Sequence, residues 1–223
     1  MHQSFTRQTM IFSFLVLALL FLKGASLMGN EQDLPPLIDR SVFFGDPKTA
    51  GAQVSPNGEY ISFLKPYQGV RNIYVKKRGA PFEEAVPVTA DDRPVSNYFW
   101  SQDSRYILYV QDKGGNENYH VYAVDPTAEP KQETGVPPAK DLTPMEGIRA
   151  QIYSVPENTP DRILVGINKR DASYHDVYEV SISSGERKRI VKNTQNLSGY
   201  TFDNKGHLRL ASRQTDEGGT EIL

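Results

Sequence analysis

The sequence predicts an all-β protein made by repeating one unit of four short strands, and three observations predict it. Ile61 in YISFLK, Ile107 in YILYV, Ile163 in RILVGI and Leu208 in HLRLAS fall 46, 56 and 45 residues apart. The strand after each of the first three repeats an apolar–Tyr core, in Asn72-Ile73-Tyr74-Val75, His120-Val121-Tyr122-Ala123-Val124 and Asp176-Val177-Tyr178-Glu179-Val180. No long stretch after the N-terminal leader shows helical periodicity, whereas alternation of period two recurs. Four strands in about 45 residues, joined by polar turns, is the pattern of β-propeller blades. A β-sandwich also has many short strands but does not explain a repeated turn–strand–loop–strand register. The expected fold is an incomplete propeller of about three and a half blades.

Residues 27–50 form a lead-in segment. Pro35-Pro36 and Pro47 remove backbone donors and bias their predecessors away from helix, so no regular element is expected there. Leu37, Ile38, Val42, Phe43 and Phe44 offer an apolar set suited to packing against the first repeat. The partial propeller covers 51–223, with blades at about 51–96, 97–148, 149–196 and 197–223. In the first, Ser55-Pro56-Asn57-Gly58 is a tight-turn sequence between two strands. Tyr60 to Leu64 and Asn72 to Lys76 are strands flanking a loop at Pro66 to Arg71, and Ala85 to Thr89 closes the unit. The second has strands ending at Trp100, then Tyr106 to Val110, Tyr119 to Val124 and Asp141 to Thr143. A Pro-, Glu- and Thr-rich insertion, Pro126 to Ala139, separates its last two strands. That insertion and the turn Pro156 to Asp161 account for the 56-residue spacing, because loops absorb extra length without disturbing stacked strands. The third ends in Ser183-Ser184-Gly185 and the strand Arg187 to Val191. The fourth runs from Gly199 through the turn Asp203 to Gly206 and the strand His207 to Ser212, and it stops at Thr220 to Leu223 where a third strand forms.

Residues 1–26 read as a secretory signal peptide. A polar start with Arg7 precedes an apolar run, Met10 to Leu22, broken only by Ser13, and Lys23-Gly24-Ala25-Ser26 supplies small residues for cleavage. The run covers 13 residues, against about 20 for a membrane-spanning helix, so no stable membrane span is expected after cleavage. The expected location is the periplasm or the medium. Of the 223 residues, 38% are hydrophobic and 23% charged, as in ordinary globular chains, and the net charge is −2. A leader holding Arg7 and Lys23 but no acid makes the remainder more acidic still, which argues against a nucleic-acid partner. The basic run Arg187-Lys188-Arg189 reads as the solvated face of a strand. Without cysteine, disulfides, thiolate nucleophiles and Cys-based metal sites are excluded.

The remaining chemistry-bearing residues read first as structure. Of His2, His120, His175 and His207, the first lies in the leader, and the others lack metal-ligand spacing. His120 and His175 occupy equivalent places just before third strands, which suits a blade rim. Asp112 to Asn118 offers oxygen ligands around Gly114-Gly115 but lacks the order of a calcium loop, and reads as a solvated hairpin loop. The acid pairs Glu83-Glu84 and Asp91-Asp92 read as surface turns. Trp100 and the tyrosines at 74, 122 and 178 read as packing between blades. Asn196-Leu197-Ser198 matches a glycosylation sequon, meaningful only in a eukaryotic secretory route. No catalytic, cofactor-binding or metal-binding residue is expected, and no cofactor.

In order along the chain, Val42-Phe43-Phe44-Gly45-Asp46-Pro47, Val54-Ser55-Pro56-Asn57-Gly58-Glu59-Tyr60-Ile61, Tyr98-Phe99-Trp100-Ser101, Gly114-Gly115-Asn116-Glu117-Asn118-Tyr119-His120-Val121-Tyr122, Asp141-Leu142-Thr143-Pro144 and His175-Asp176-Val177-Tyr178 resemble the N-terminal propeller of bacterial secreted serine peptidases. These belong to the prolyl oligopeptidase family, in its dipeptidyl aminopeptidase or acylaminoacyl peptidase-like branch. The resemblance implies a propeller that restricts access of short peptides to an α/β-hydrolase domain. That domain's nucleophile sits in a G-x-S-x-G elbow followed by Asp and His, and no such pentapeptide occurs in these 223 residues. The chain is thus expected to be inactive alone, its peptide substrates met through a catalytic domain that this stretch lacks. The other reading is a non-catalytic periplasmic propeller, TolB-like, that binds protein partners.

Overall fold

The computed structural model describes residues 35–45 and 47–223. The leader and the signal-peptide reading lie outside the described residues. Two compact units divide the chain, ending and beginning at Asp46 and Pro47.

In the first unit, the lead-in segment holds a regular element that the prolines seemed to forbid: helix α1, Arg40–Phe44. Asp39 makes it possible by capping, its carboxylate accepting from the Ser41 amide at 2.7 Å, and Pro35-Pro36 precede the cap so that they cost the helix no donor. Leu37, Ile38, Val42, Phe43 and Phe44 are all exposed.

The second unit is four antiparallel sheets with strands in sequence order. The first holds β1 (Ala50–Val54), β2 (Tyr60–Tyr67), β3 (Val70–Lys77) and β4 (Val86–Pro87). The second holds β5 (Tyr98–Trp100), β6 (Ile107–Gln111), β7 (His120–Val124) and β8 (Ala139–Asp141). The third holds β9 (Ala150–Ser154), β10 (Arg162–Ile167), β11 (Asp176–Ser181) and β12 (Arg187–Val191). The fourth holds β13 (Gly199–Phe202), β14 (Leu208–Gln214) and β15 (Thr220–Ile222). Ile61, Ile107, Ile163 and Leu208 each lie on the second strand of their sheet. The architecture is the nearly all-β, incomplete propeller that the repeat predicts.

Two local expectations change. Pro66 to Arg71 is not a loop, since β2 continues to Tyr67 and β3 starts at Val70, leaving a two-residue turn at Gln68 and Gly69 with φ of 52° and 84°. Positive φ at both positions matches the twist of the flanking strands. Pro66 is tolerated because β1 reaches β2 only as far as Leu64, so no neighbour needs the missing N–H. The closing strand of the second blade also ends at Asp141, not Thr143. There the Asp141 carboxylate accepts from the Thr143 amide at 2.8 Å and bends the chain, while the Thr143 hydroxyl accepts from the Val121 amide at 3.0 Å.

The apolar core lies between sheets. Leu64, Ile73, Val75 and Val88 of the first join Tyr98, Trp100, Ile107 and Tyr109 of the second. Leu108, Val121 and Leu142 of the second join Ala150, Ile163 and Val165 of the third. Leu164 and Val177 meet Tyr200 of the fourth. Between the first two sheets the packing is pinned by polar contacts: the Trp100 indole donates to the Ser62 hydroxyl at 2.8 Å, and the Tyr98 hydroxyl donates to the Gly51 carbonyl at 2.7 Å.

Removing the Ser62 hydroxyl strands the buried indole N–H, which costs about 1–2 kcal/mol. Trp100 is the single tryptophan, so its fluorescence reports this interface directly. Ser62→Ala is expected to lower the midpoint of a urea titration followed by that fluorescence, with the slope unchanged; an unmoved midpoint contradicts the assignment.

Candidate functional site

Directly opposed residues on neighbouring strands point to one face. In the second sheet, Tyr98 opposes Tyr109, Tyr109 opposes Tyr122, and Tyr122 opposes Asp141, so one row crosses all four strands. The rings of Tyr109 and Tyr122 stack with centroids 5.3 Å apart. His120, at the start of β7, stacks on Tyr122 at 6.4 Å and its Nδ1 lies 2.7 Å from the Asp141 carboxylate. Period-two alternation and register alone assemble this ladder.

Beside it opens a cavity of about 470 Å³ lined by Asp91, Asp92, Tyr109, Tyr122 and the insertion residues Lys131 and Val136. The insertion is folded back over the sheets. Val136 is buried, and the Tyr67 hydroxyl of the first sheet donates to the Thr134 carbonyl at 3.1 Å. Gly135 sits so close that an added Cβ would lie 3.1 Å from that hydroxyl.

The acid pairs separate. Glu83 and Glu84 are exposed in a 3-10 turn, as expected for surface acids. Asp91 is not a surface acid: it is half-buried at the cavity floor, while its neighbour Asp92 is exposed. Asn72 fixes it from below, its side chain accepting from the Asp91 amide at 2.9 Å and donating to the Asp91 carbonyl at 3.0 Å. Burial raises the Asp91 carboxyl above its ordinary value, opposed by a hydrogen bond from Tyr109 and reinforced by the charge of Asp92. Burial, then the charge and hydrogen bond of Asp91, hold the Tyr109 hydroxyl well above its usual range. Tyr122 is pushed up to about 12 by burial first and then by Asp141 and Asp91. Both phenols therefore stay protonated at neutral pH and act as donors, not bases.

The loop Asp112 to Asn118 is exposed from Lys113 to Glu117, as its solvated reading expects, and only Asp112 at its start is buried. The Asp112 carboxylate is buried, 3.0 Å from the Arg93 Nε, and accepts from the Glu117 amide at 3.0 Å. Gly115 has a φ of 80°, and a Cβ there would come within 3.0 Å of the Arg93 Nη1. Gly115 thus leaves room for the Arg93 guanidinium. Among the described residues no cluster of three or more metal-ligating side chains exists. His175 is half-buried, with Nε2 3.1 Å from the Arg149 carbonyl, and burial lowers its pKa, opposed by that hydrogen bond. His207 is exposed beside Asp203, at 3.2 Å. Trp100 and Tyr74 are buried in packing, whereas Tyr122 takes a second role as cavity wall. Asn196 is exposed in the turn before β13, with a φ of 55°. Neither Asp91 nor Arg93 was separable from surface charge by sequence alone; the repeat of Val88-Thr89 and Leu142-Thr143 was the available signal that 88–92 is built structure.

These features define a propeller segment with cavities between its blades, and its sequence holds no hydrolase elbow. The chain is 40% identical over 84% of its length to dipeptidyl aminopeptidase BIII of Pseudoxanthomonas mexicana, and 28% identical over 82% to dipeptidyl peptidase family member 6 of Caenorhabditis elegans. It spans about a quarter of the length of these relatives, 26% and 24%. Among solved structures, a prolyl endopeptidase matches 78% of the chain with a TM-score of 0.57 and 16% identity, covering 26% of that protein. Prolyl oligopeptidase B from Galerina marginata matches 84% with a TM-score of 0.54 and 15% identity, covering 28%. No protein-family model matches. The fold is that of a partial propeller, and the chain is similar in sequence to about a quarter of a dipeptidyl aminopeptidase.

A carboxyl whose pKa is raised on folding contributes stability that is present below its ordinary value of 3.8 and lost as pH rises through the folded value. Asp91→Asn removes that contribution. The variant is expected to compare least favourably with the parent at about pH 4 and most favourably at about pH 7 in paired urea titrations; a difference independent of pH contradicts the buried environment.

Proposed function

We propose that this chain is the substrate-gating portion of a serine peptidase acting on short peptides, the catalytic serine, aspartate and histidine being supplied by an α/β-hydrolase domain. The observation that carries the reading is the 40% identity to a dipeptidyl aminopeptidase over most of the chain. The arrangement of the described residues supports the division of labour. Stacked blades held by buried aromatics make a rigid wall, and substrate-restricting walls work by excluding wrong substrates from a site whose chemistry lies elsewhere. The cavities between blades supply polar groups for holding a peptide but no nucleophile paired with a base.

We further propose export. The support is the leader pattern, a basic start, an apolar run too short for a usual span, and small residues ending at Ser26. Expression with the leader in a bacterial host is expected to release a product beginning near Leu27, read by intact mass; an exported product still carrying Met1 contradicts cleavage.

A domain exchange tests the main reading. The matching stretch of the Pseudoxanthomonas dipeptidyl aminopeptidase is replaced by residues 35–223 of this chain. The folded chimera is expected to cleave chromogenic dipeptide substrates within about tenfold of the parent and to leave a folded protein substrate intact. A folded chimera with no peptidase activity, or one that digests folded proteins, counts against it.

A further inference from the structure

A second cavity, of about 580 Å³, lies between the second and third sheets and is lined by Arg93, Asn97, Phe99, Tyr119, Arg149 and Gln151. It differs in charge from the cleft beside Asp91. Two guanidinium groups line it against one carboxylate, Asp112, and that carboxylate is already engaged by Arg93 at 3.0 Å.

Both arginines are held by their surroundings. The Gln111 amide donates to the Arg93 carbonyl at 3.0 Å, and the Gly114-Gly115 turn passes beneath the guanidinium, so that a Cβ at Gly115 would lie 3.0 Å from Nη1. The Asp112 carboxylate lies 3.0 Å from Nε as a charge contact without hydrogen-bond geometry, and neither terminal nitrogen of Arg93 donates to another described residue. The Arg149 amide donates to the Asn168 side chain at 2.6 Å, and the His175 Nε2 meets the Arg149 carbonyl at 3.1 Å. The Arg149 guanidinium lies over the Tyr119 ring, 5.2 Å from its centroid, and has no carboxylate partner among the described residues. An arginine resting over an aromatic ring is held without using its N–H donors, which stay available to an anion. Phe99 and Ile152 add apolar wall, which suits an anion carried on an organic body better than a bare hydrated ion.

We propose that this cavity binds the carboxylate of a peptide, at an acidic side chain or a C-terminus, with Arg149 as the principal ligand and Arg93 as its supporting charge. The choice of a peptide rests on the function proposed above. The site itself does not need the hydrolase domain, so direct binding to this chain and the activity of the chimera can fail independently.

The test uses fluorescence anisotropy with the full chain and three labelled heptapeptides. One carries an internal glutamate and a C-terminal amide, one a free C-terminus and no acidic side chain, and one neither charge. One or both of the carboxylate peptides are expected to bind about tenfold more tightly than the neutral one, the worth of one charge-assisted hydrogen bond. Whichever of the two gains assigns the source of the carboxylate. Raising salt shrinks the advantage. Arg149→Ala is expected to abolish it with an unchanged melting temperature, since Arg149 is exposed and its guanidinium makes no hydrogen bond or ion pair with a described residue, and Arg149→Lys to restore part of it. Equal binding of all three peptides overturns the proposal, as does an advantage that survives Arg149→Ala. Displacement of the peptide by micromolar inorganic phosphate would make this a phosphate site and overturn it too.

Discussion

Each middle sheet of this protein is apolar on both faces, and neither face can be covered from within its own blade. Along β6, Ile107 and Tyr109 enter the core shared with the first sheet, while Leu108 enters the core shared with the third. Along β10, Ile163, Val165 and Ile167 face the second sheet and Leu164 faces the fourth. Alternation of period two sends successive side chains to opposite faces, so a strand whose alternate positions are both apolar demands a neighbour on each side. Stacking follows from that demand, and the cavities follow from stacking: they open where strand ends and blade connections diverge while the sheets remain in contact.

The repeat is enforced by two small polar devices as well as by apolar surface. Ser55 and Ser101 occupy the same turn position; each accepts through its hydroxyl from the amide five residues on, Tyr60 at 3.0 Å and Tyr106 at 2.9 Å. Thr89 and Thr143 occupy the same closing position, and each hydroxyl accepts from a third-strand amide, Ile73 and Val121, at 3.0 Å. These devices satisfy backbone donors at the points where ladder pairing ends, which is where an unpaired amide would be most costly. They also lock neighbours together, as when the Ser104 hydroxyl accepts from the Asn57 amide at 2.9 Å across the first two blades.

Polar groups at the blade junctions divide by partner. Asp176 is buried, yet its carboxyl lies below the usual range: burial raises it, but the hydrogen bond from Arg170, the Asn193 amide and the charges of Arg170 and Arg189 outweigh burial. Asp91, half-buried against two tyrosines, shifts the other way. The first is a structural clamp closed by its own blade. The second is a group placed at a cavity with phenol donors around it, and the same contrast separates Arg170, spent on Asp176, from Arg149, which rests on an aromatic ring.

Strand order, blade repeat and family resemblance were legible in the sequence, because spacing, alternation and turn residues act locally and each repeat states them again. The positions of Ile61, Ile107 and Ile163 and the apolar–Tyr cores needed no knowledge of the third dimension. What only the tertiary structure decided was the meaning of individual charges. Asp91 and Glu83 are both acids in neighbouring turns, and Arg93 and Arg187 both basic residues near strand starts. Burial, the fold-back of the insertion onto Tyr67 and the approach of the Gly114-Gly115 turn distinguish them, and these depend on residues dozens of positions apart that no local pattern brings together.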